Sequence, residues 1–224
     1  VFFRFTQKMI SNERKLKLRI YPNMAFAALM PLIIIFRGSG RNRPFSETIA
    51  EISDSKFYMT IYIAILILSS LIIMIKTSDK YNGAWIYRVL PLETPTPIYR
   101  GAFKGFLTKY VIPVFLIPCA VFLMICGSKI LIDLILMFLN LILLCLLIYK
   151  TSSKELPFGK DFNHIQENNI MALISSLGFC GVSAALHTML RSFKYGLVIY
   201  CFAVMIAIVL VWIKGTKLKW EEII

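Results

Sequence analysis

The clearest structural signal in this chain is an uncharged apolar run, FYMTIYIAILILSSLIIMI, from Phe57 to Ile75. A helix needs roughly 20 predominantly apolar residues to cross the hydrocarbon core of a bilayer. A surface helix of a soluble protein would keep one polar face, and this run has none. It therefore predicts a transmembrane helix.

Other apolar runs of similar length lie on both sides of this one. The chain has 224 residues, of which 58% are hydrophobic and 17% are charged, whereas a soluble domain is usually about half apolar and a quarter charged. The sequence thus predicts an all-α, polytopic membrane protein with six transmembrane helices. The predicted spans cover residues 20–36, 57–75, 110–126, 130–149, 170–190 and 195–213.

The distribution of basic residues predicts the orientation. Eighteen of the 25 Lys and Arg residues lie in segments 1–19, 76–109, 150–169 and 214–224, and the other seven lie in the remaining connections. Because basic residues gather on cytoplasmic flanks, both termini and the long loop 76–109 are expected in the cytoplasm, with the protein multi-pass in the cell membrane. The formal net charge of +13 then needs no nucleic-acid partner.

The two ends of the chain are expected outside the bilayer. Residues 1–19 interleave basic and apolar side chains, which is typical of a segment lying in the headgroup layer, although a simple charged anchor for the first span would look similar. Residues 214–224 are interpreted as a cytoplasmic tail. The five cysteines all lie within apolar runs, which favours small buried hydrophobes over a disulfide framework or a metal site.

The long loop 76–109 combines basic charge with many aromatic residues. Residues 79–90 predict a short amphipathic helix that begins near Asn82-Gly83 and ends at Pro91, with Trp85, Ile86, Val89 and Leu90 on one face. Because an exposed apolar face must be covered by lipid or protein, we expect this helix to dock into a partner protein, the alternative being that it rests on the membrane. The predicted partner-binding residues are Tyr81, Trp85, Ile86, Arg88 and Val89.

A second helical period begins at Ile98, after an extended stretch enforced by three prolines. One side of this helix is aromatic and another is basic, which predicts an interfacial helix leading into the third span. Its predicted interfacial residues are Tyr99, Arg100, Phe103 and Lys104.

Two stretches resemble a known family. RKLKLRIYP, from Arg14 to Pro22, and KYNGAWIYR, from Lys80 to Arg88, continuing to GAFK at Gly101–Lys104, are similar to the permease subunits of bacterial ABC-2 type exporters, especially Gram-positive ones whose ATPase is a separate chain. The resemblance implies an interfacial N-terminal segment, six spans, and a cytosolic coupling helix between the second and third spans, where residues 79–90 lie. Because the first stretch resembles one internal to longer permeases, the chain is expected to be their C-terminal half.

The resemblance also implies function and partners. The chain would be a transport subunit that carries the work of ATP hydrolysis from a partner ATPase to substrate export, alongside a second permease copy or a missing N-terminal half. ATP and Mg²⁺ would be bound by that ATPase and no cofactor by this chain, which has no GxxxxGK[ST] motif. The alternative is a small secondary carrier or a non-catalytic membrane scaffold.

Few other residues suggest chemistry. Ser183 and His187 lie one turn apart after Gly181, as in a nucleophile elbow, but that segment has no acidic partner. The favoured interpretation of Gly178, Gly181 and Ala185 is a small-residue face for close helix packing.

Asp133 and Asn140 are the polar residues of the fourth predicted span, and they have two interpretations. Asp133 lies one turn after Lys129, so the favoured one is an interfacial pair at i, i+4. The other is a substrate path formed by Asp133 and Asn140, because polar groups inside a membrane often mark such paths.

Overall fold

The computed structural model describes residues 2–38, 56–89, 91–151, 156–162, 166–218 and 220–222. Every regular element in these ranges is helical, which confirms the predicted all-α class. The α-helices are α1 (Phe2–Asn12), α2 (Arg14–Gly38), α3 (Ile61–Ser70), α4 (Ile86–Val89), α5 (Thr96–Phe106), α6 (Ile112–Cys126), α7 (Leu131–Thr151), α8 (Gln166–Leu190) and α9 (Gly196–Gly215). Short 3₁₀ turns at Phe57–Thr60 and Leu71–Lys76 extend α3 at both ends, and another at Tyr81–Trp85 precedes α4.

Five helical stretches in the described part of the chain are long and apolar enough to cross a membrane. They are Arg14–Ile35, Phe57–Lys76, Thr96–Thr151, Leu173–Leu190 and Gly196–Gly215. The third is 56 residues long and contains α5, α6 and α7. Length and composition therefore give five candidate spans where the sequence predicted six.

The long third stretch reverses direction at Gly127. This residue has a φ of +67°, which only glycine adopts at no steric cost. The rings of Phe115 in α6 and Phe138 in α7 then lie 6.0 Å apart, although 23 residues of straight helix would separate them by about 35 Å. Thus α6 and α7 form an antiparallel hairpin.

The N-terminal boundaries differ from the predicted ones. The helix α2 begins at Arg14 and continues through Pro22 and Pro31, so it starts six residues before the predicted first span. The preceding basic segment is divided between α1 and the first turns of α2, with Glu13 at the junction.

The stretch around α3 lies at the centre of the bundle. Ile61, Ile65, Leu68 and Ile72 are fully buried, and α2, α7 and α8 pack around them. By contrast, α8 and α9 each present a row of exposed apolar side chains, as lipid-facing helices do.

The bundle has two ends. The loop end contains α1, α4, α5, residues 156–162 and residues 216–218 and 220–222. The turn end contains the Gly127 turn and the turn at Arg191 between α8 and α9.

Candidate functional sites at the two ends of the bundle

The loop that follows α3 is fixed by backbone pairing with the segment that follows α7. Phe158 N donates to Ile75 O, Ser78 N donates to Lys160 O, and Lys160 N donates to Lys76 O, each at 3.0 Å. These bonds satisfy polar backbone groups where the α3 stretch ends. The start of the long loop is thereby tied to the rest of the loop end.

Tyr87 packs the segment around α4 against the rest of the loop end. Its side chain is buried in a small cluster with Ile98 and Leu156, and the ring of Phe5 in α1 meets it edge-on with centroids 6.2 Å apart. Burial raises the pKa of the Tyr87 hydroxyl well above its ordinary value. One side of this segment is therefore packed against protein.

The opposite side of this segment is apolar and exposed. Trp85 is 63% exposed and Val89 is 69% exposed, and Ile86 and Tyr81 are exposed beside them. The helical part is a 3₁₀ turn, Tyr81–Trp85, followed by one α-helical turn, Ile86–Val89, which is shorter than the predicted helix 79–90. The side chain of Arg88 and the whole of Leu90 lie outside the described residues.

We call Tyr81, Trp85, Ile86 and Val89 the loop-end face. A groove of about 240 Å³ lies next to it, between α1 and the loop. The groove is lined by Phe5, Met9, Lys80, Gly83, Ala84, Ile86, Tyr87 and Phe158.

The predicted interfacial helix, α5, has its aromatic side covered by protein. Tyr99 and Phe103 are buried. The Tyr149 hydroxyl donates to Tyr99 O at 3.2 Å, and the Phe103 ring lies 5.2 Å from that of Tyr149 and 6.0 Å from that of Trp212. These contacts bind α5 to the ends of α7 and α9.

The basic residues of α5 lie over Trp212. The guanidinium of Arg100 and the ammonium of Lys104 are 5.4 and 5.1 Å from its ring, within the range of cation–π attraction. Arg100 Nε also donates to Thr216 Oγ1 at 2.9 Å, and Trp220 Nε1 donates to Leu92 O at 2.9 Å. Part of the predicted tail 214–224 is therefore packed against the loop.

The other side of α5 receives α1 at two glycines. A Cβ at Gly101 would lie 2.5 Å from Phe2 Cβ, and a Cβ at Gly105 would lie 3.0 Å from Thr6 Cβ. The GxxxG spacing of Gly101 and Gly105 permits this close approach. That spacing is a sequence signal for the contact, which helical periodicity alone does not reveal.

The junction of α1 and α2 is joined to the first residues of the loop. The Ser78 hydroxyl donates to Glu13 Oε1, and Lys15 Nζ lies 2.5 Å from Asp79 Oδ1. Glu13 is buried, and this desolvation raises the pKa of its carboxyl group. Lys15 and Asp79 are exposed, so their pair contributes little to stability.

At the turn end, Asp133 has partners other than the expected Lys129. Its side chain is only 2% exposed, and Oδ1 accepts from His187 Nε2 at 2.9 Å and from Arg191 Nη1 at 2.6 Å. Lys129 is exposed. The expected interfacial pair is therefore replaced by contacts between α7 and the end of α8, because a buried carboxylate needs charged donors in a low dielectric.

His187 is fully buried, and both of its ring nitrogens have partners. Nε2 faces Asp133, and Nδ1 lies 3.1 Å from the Tyr62 hydroxyl. Ser183 is linked to Tyr62 through its backbone carbonyl, 3.4 Å from the same hydroxyl. The nitrogens that would activate a serine nucleophile are thus committed to Asp133 and Tyr62, which removes support for the elbow interpretation.

Two further polar side chains, Tyr58 and Asn140, lie beside these residues. We call the six residues together the buried polar cluster: Tyr58, Tyr62, Asp133, Asn140, His187 and Arg191. The Arg191 guanidinium lies 4.9 Å from the centre of the Tyr58 ring. Asn140 is buried on α7, two turns beyond Asp133. The Asn140 amide interacts with the Tyr62 hydroxyl, and the Tyr58 hydroxyl has no hydrogen-bond partner among the residues that the structure describes.

The predicted small-residue face of α8 is open. Apart from the chain neighbours of each glycine and the nearby backbone of α8, a Cβ built at Gly178 or Gly181 would have no atom within 4 Å. The described part of the chain therefore does not pack another helix closely against these two glycines.

The structure unites residues that the sequence presented separately. It brings Asp133 and His187 together, adds Tyr62 and Arg191, and places Asn140 nearby, while the loop-end face lies at the opposite end. Among the described residues there is no group of three or more His, Cys, Asp or Glu residues that could hold a metal ion. No protein-family model, curated protein or solved structure matches the chain.

Proposed function

We propose that this chain is a membrane-spanning permease subunit of an ATP-driven exporter, and that a separate ATPase docks on the loop-end face. The observation that carries the proposal is this exposed apolar face, in which Trp85, Ile86 and Val89 point away from the bundle. Exposed aromatic and aliphatic side chains on a rigid support are typical anchors of protein interfaces.

The support behind this face suits the transmission of force. Tyr87 fixes the segment to α1, and the backbone bonds at residues 75–78 and 158–160 join the loop to the α3 stretch. Because α3 lies at the centre of the bundle, a displacement of α4 would be passed to the helices packed around it. We therefore expect the segment around α4 to transmit the motion of a docked ATPase to the bundle.

The proposed topology has six crossings. It counts α6 and α7 separately, since they form a hairpin at Gly127. The excess of basic residues in the loop-end segments then favours a cytosolic loop end and an external turn end. ATP and Mg²⁺ would be bound by the ATPase, and the assembly would be completed by a second permease copy or an N-terminal half.

The docking is tested by replacing Trp85 with alanine in the full chain. The tagged protein is purified from its native membranes after mild crosslinking, and P-loop ATPases are identified by mass spectrometry. Loss of a buried aromatic anchor commonly costs about 2 kcal/mol or more, or roughly thirtyfold in affinity. We expect Trp85→Ala to lose most of the ATPase at normal membrane abundance.

Phe193→Ala is the matched control, because Phe193 is an exposed aromatic residue at the turn end. It should retain the ATPase. Failure of the wild-type chain to bring down any P-loop ATPase, or full retention by Trp85→Ala, would contradict the proposal.

The second candidate is a secondary carrier, and the observation that favours it is the buried contact between Asp133 and His187. Ionisable groups inside a membrane often belong to ion or proton pathways. Purified protein in vesicles with a pH gradient and no ATPase distinguishes the two. Substrate movement driven by the gradient alone would favour the carrier.

A further inference from the structure

We propose that His187 is a proton-binding site inside the bundle, where the ring alternates between its neutral and cationic forms without losing a hydrogen-bond partner. The proposal rests on the geometry of the buried polar cluster and does not depend on the ATPase assignment. Its ligand is the proton.

The neutral form is accommodated by the observed contacts. With the proton on Nε2, His187 donates to Asp133 Oδ1 at 2.9 Å, and Nδ1 accepts from the Tyr62 hydroxyl at 3.1 Å. This tautomer follows from the contacts, because a carboxylate oxygen can only accept. Both ring nitrogens are then satisfied.

The cationic form is accommodated by a rotation of one hydroxyl hydrogen. When Nδ1 also carries a proton, it donates to the Tyr62 oxygen. The Tyr62 hydrogen then turns toward Ser183 O, 3.4 Å from the hydroxyl. A histidine that stayed neutral would not need this second acceptor for Tyr62. In the cationic form, Ser183 O allows the Tyr62 hydrogen to turn away from Nδ1–H, so the two donors do not face each other.

Protonation changes the charge balance around Asp133. In the neutral state, the Asp133 carboxylate is offset by Arg191 alone, and in the cationic state two cations share one oxygen, Oδ1. His187 then competes with Arg191, whose side chain is 33% exposed and can exchange its bond for water. Proton binding therefore loosens the contact between Arg191 and Asp133.

The other titratable groups around the cluster do not offset this change. They belong to α8, α9 and the extended α3 stretch, and their ordinary pKa values lie above the range near neutrality. These residues are Tyr58, Tyr62, Cys180, Tyr200 and Cys201.

The cluster has the polar surroundings that proton access requires. Arg191 reaches solvent at the turn end, and the Tyr58 hydroxyl is buried without a described protein partner. Such a group in an apolar bundle requires water or another polar ligand, since an unsatisfied hydroxyl is costly there. The Tyr58 ring lies 6.5 Å from that of His187, so hydration of Tyr58 would bring water close to the histidine.

The test measures the protonation of His187 directly in the full chain. The protein has two histidines, so His164→Gln leaves His187 as the single one. We would record ¹⁵N spectra of histidine-labelled protein in lipid nanodiscs from pH 5 to 8, where imidazole ordinarily titrates. We expect the tautomer signals to be replaced by the imidazolium signal within this range.

Two variants assign the effect to the cluster. Asp133→Asn removes the carboxylate that stabilises the cation, and it should lower the titration midpoint by about one pH unit or more. Tyr62→Phe removes the acceptor for Nδ1–H, and it should lower the midpoint by a smaller amount while keeping the Asp133 contact. If Asp133→Asn does not fold, Tyr62→Phe alone still decides the question.

Two results would overturn the proposal. One is a single neutral tautomer from pH 5 to 8, which would make His187 a fixed structural bond. The other is a midpoint that moves in neither variant, which would mean that the cluster does not control the protonation of His187.

Discussion

Replacement of Gly101 by alanine should separate α1 from α5 and lower the stability of the loop end. An added Cβ would lie 2.5 Å from Phe2 Cβ, 3.0 Å from Phe2 C and 3.1 Å from Phe3 N. Carbon atoms attract best at about 3.5–4.0 Å, so α1 must move away by about 1 Å. Two of the three atoms belong to the backbone, and they cannot move aside by a side-chain rotation.

The expected magnitude is a balance of two terms. Overpacking typically costs about 1–3 kcal/mol, whereas alanine in place of a helical glycine gains about 1 kcal/mol. Since backbone atoms are involved, we take the upper part of the first range and expect a net loss of about 1–2 kcal/mol. A chain of this size should then melt about 2–8 °C lower.

The buried cysteines provide the assay. Cys119, Cys126, Cys145 and Cys180 are free and buried, so a thiol-reactive dye reports their exposure during thermal unfolding. The position of α1 is followed separately by bismaleimide crosslinking of cysteines placed at Gln7 and Thr108, whose side chains lie 3.4 Å apart. The crosslinking uses a background without native cysteines.

Two glycines serve as comparisons. At Gly105 the nearest atoms are side-chain atoms of Thr6 at 3.0 Å, so alanine there should have a smaller effect. At Gly83 no atom lies within 4 Å, so alanine should be neutral or slightly stabilising. If Gly101→Ala matches Gly83→Ala in melting temperature and crosslinking yield, the close contact between α1 and α5 is refuted.

Three further predictions concern other parts of the molecule. Because burial raises the folded-state pKa of Glu13 above its ordinary value of 4.5, the folded protein holds that proton more tightly, and stability should fall as pH rises through the raised pKa. Glu13→Gln should reduce this dependence of the melting temperature on pH between pH 4.5 and 7.5. An unchanged dependence would mean that another group causes it. Thr94 and Ser128 are both exposed, so cysteines placed there should differ in labelling by an impermeant thiol reagent on intact cells. The cysteine at Ser128 should be labelled and that at Thr94 should not, and the opposite result would invert the proposed topology. Gly181→Leu should leave the melting temperature unchanged because the surroundings of Gly181 are open, and it should weaken any association of two copies through α8. An unchanged oligomer size and crosslinking yield would show that this face of α8 meets only lipid.

The sequence predicted the element types well because membrane helices follow from local composition. The run from Phe57 to Ile75 lacks charge over the length of a span, and the structure has a candidate span at Phe57–Lys76. The predicted spans 110–126 and 130–149 also leave a three-residue connection, and the structure reverses direction there at Gly127. The start of α2 was not predicted, since a helix extends past its apolar run wherever backbone hydrogen bonds continue.

The roles predicted for the loop residues remain predictions, but their surroundings are now known. Periodicity grouped Trp85, Ile86 and Val89, and all three are exposed. It also grouped Tyr99 with Phe103 on the aromatic side of a predicted interfacial helix, and the structure places both against Tyr149 and other protein groups. A helical period shows which residues share a face and not what covers that face.

The sequence by itself determined that this is an all-helical chain with long apolar helices and a basic loop with an apolar face. These properties depend on residues close together in the chain, so composition and periodicity encode them. Only the tertiary structure decided that Asp133 meets His187 and Arg191 instead of Lys129. The physical reason is that a buried charge selects its partners by position in space, and the hairpin at Gly127 and the packing of α8 bring together residues more than 50 positions apart.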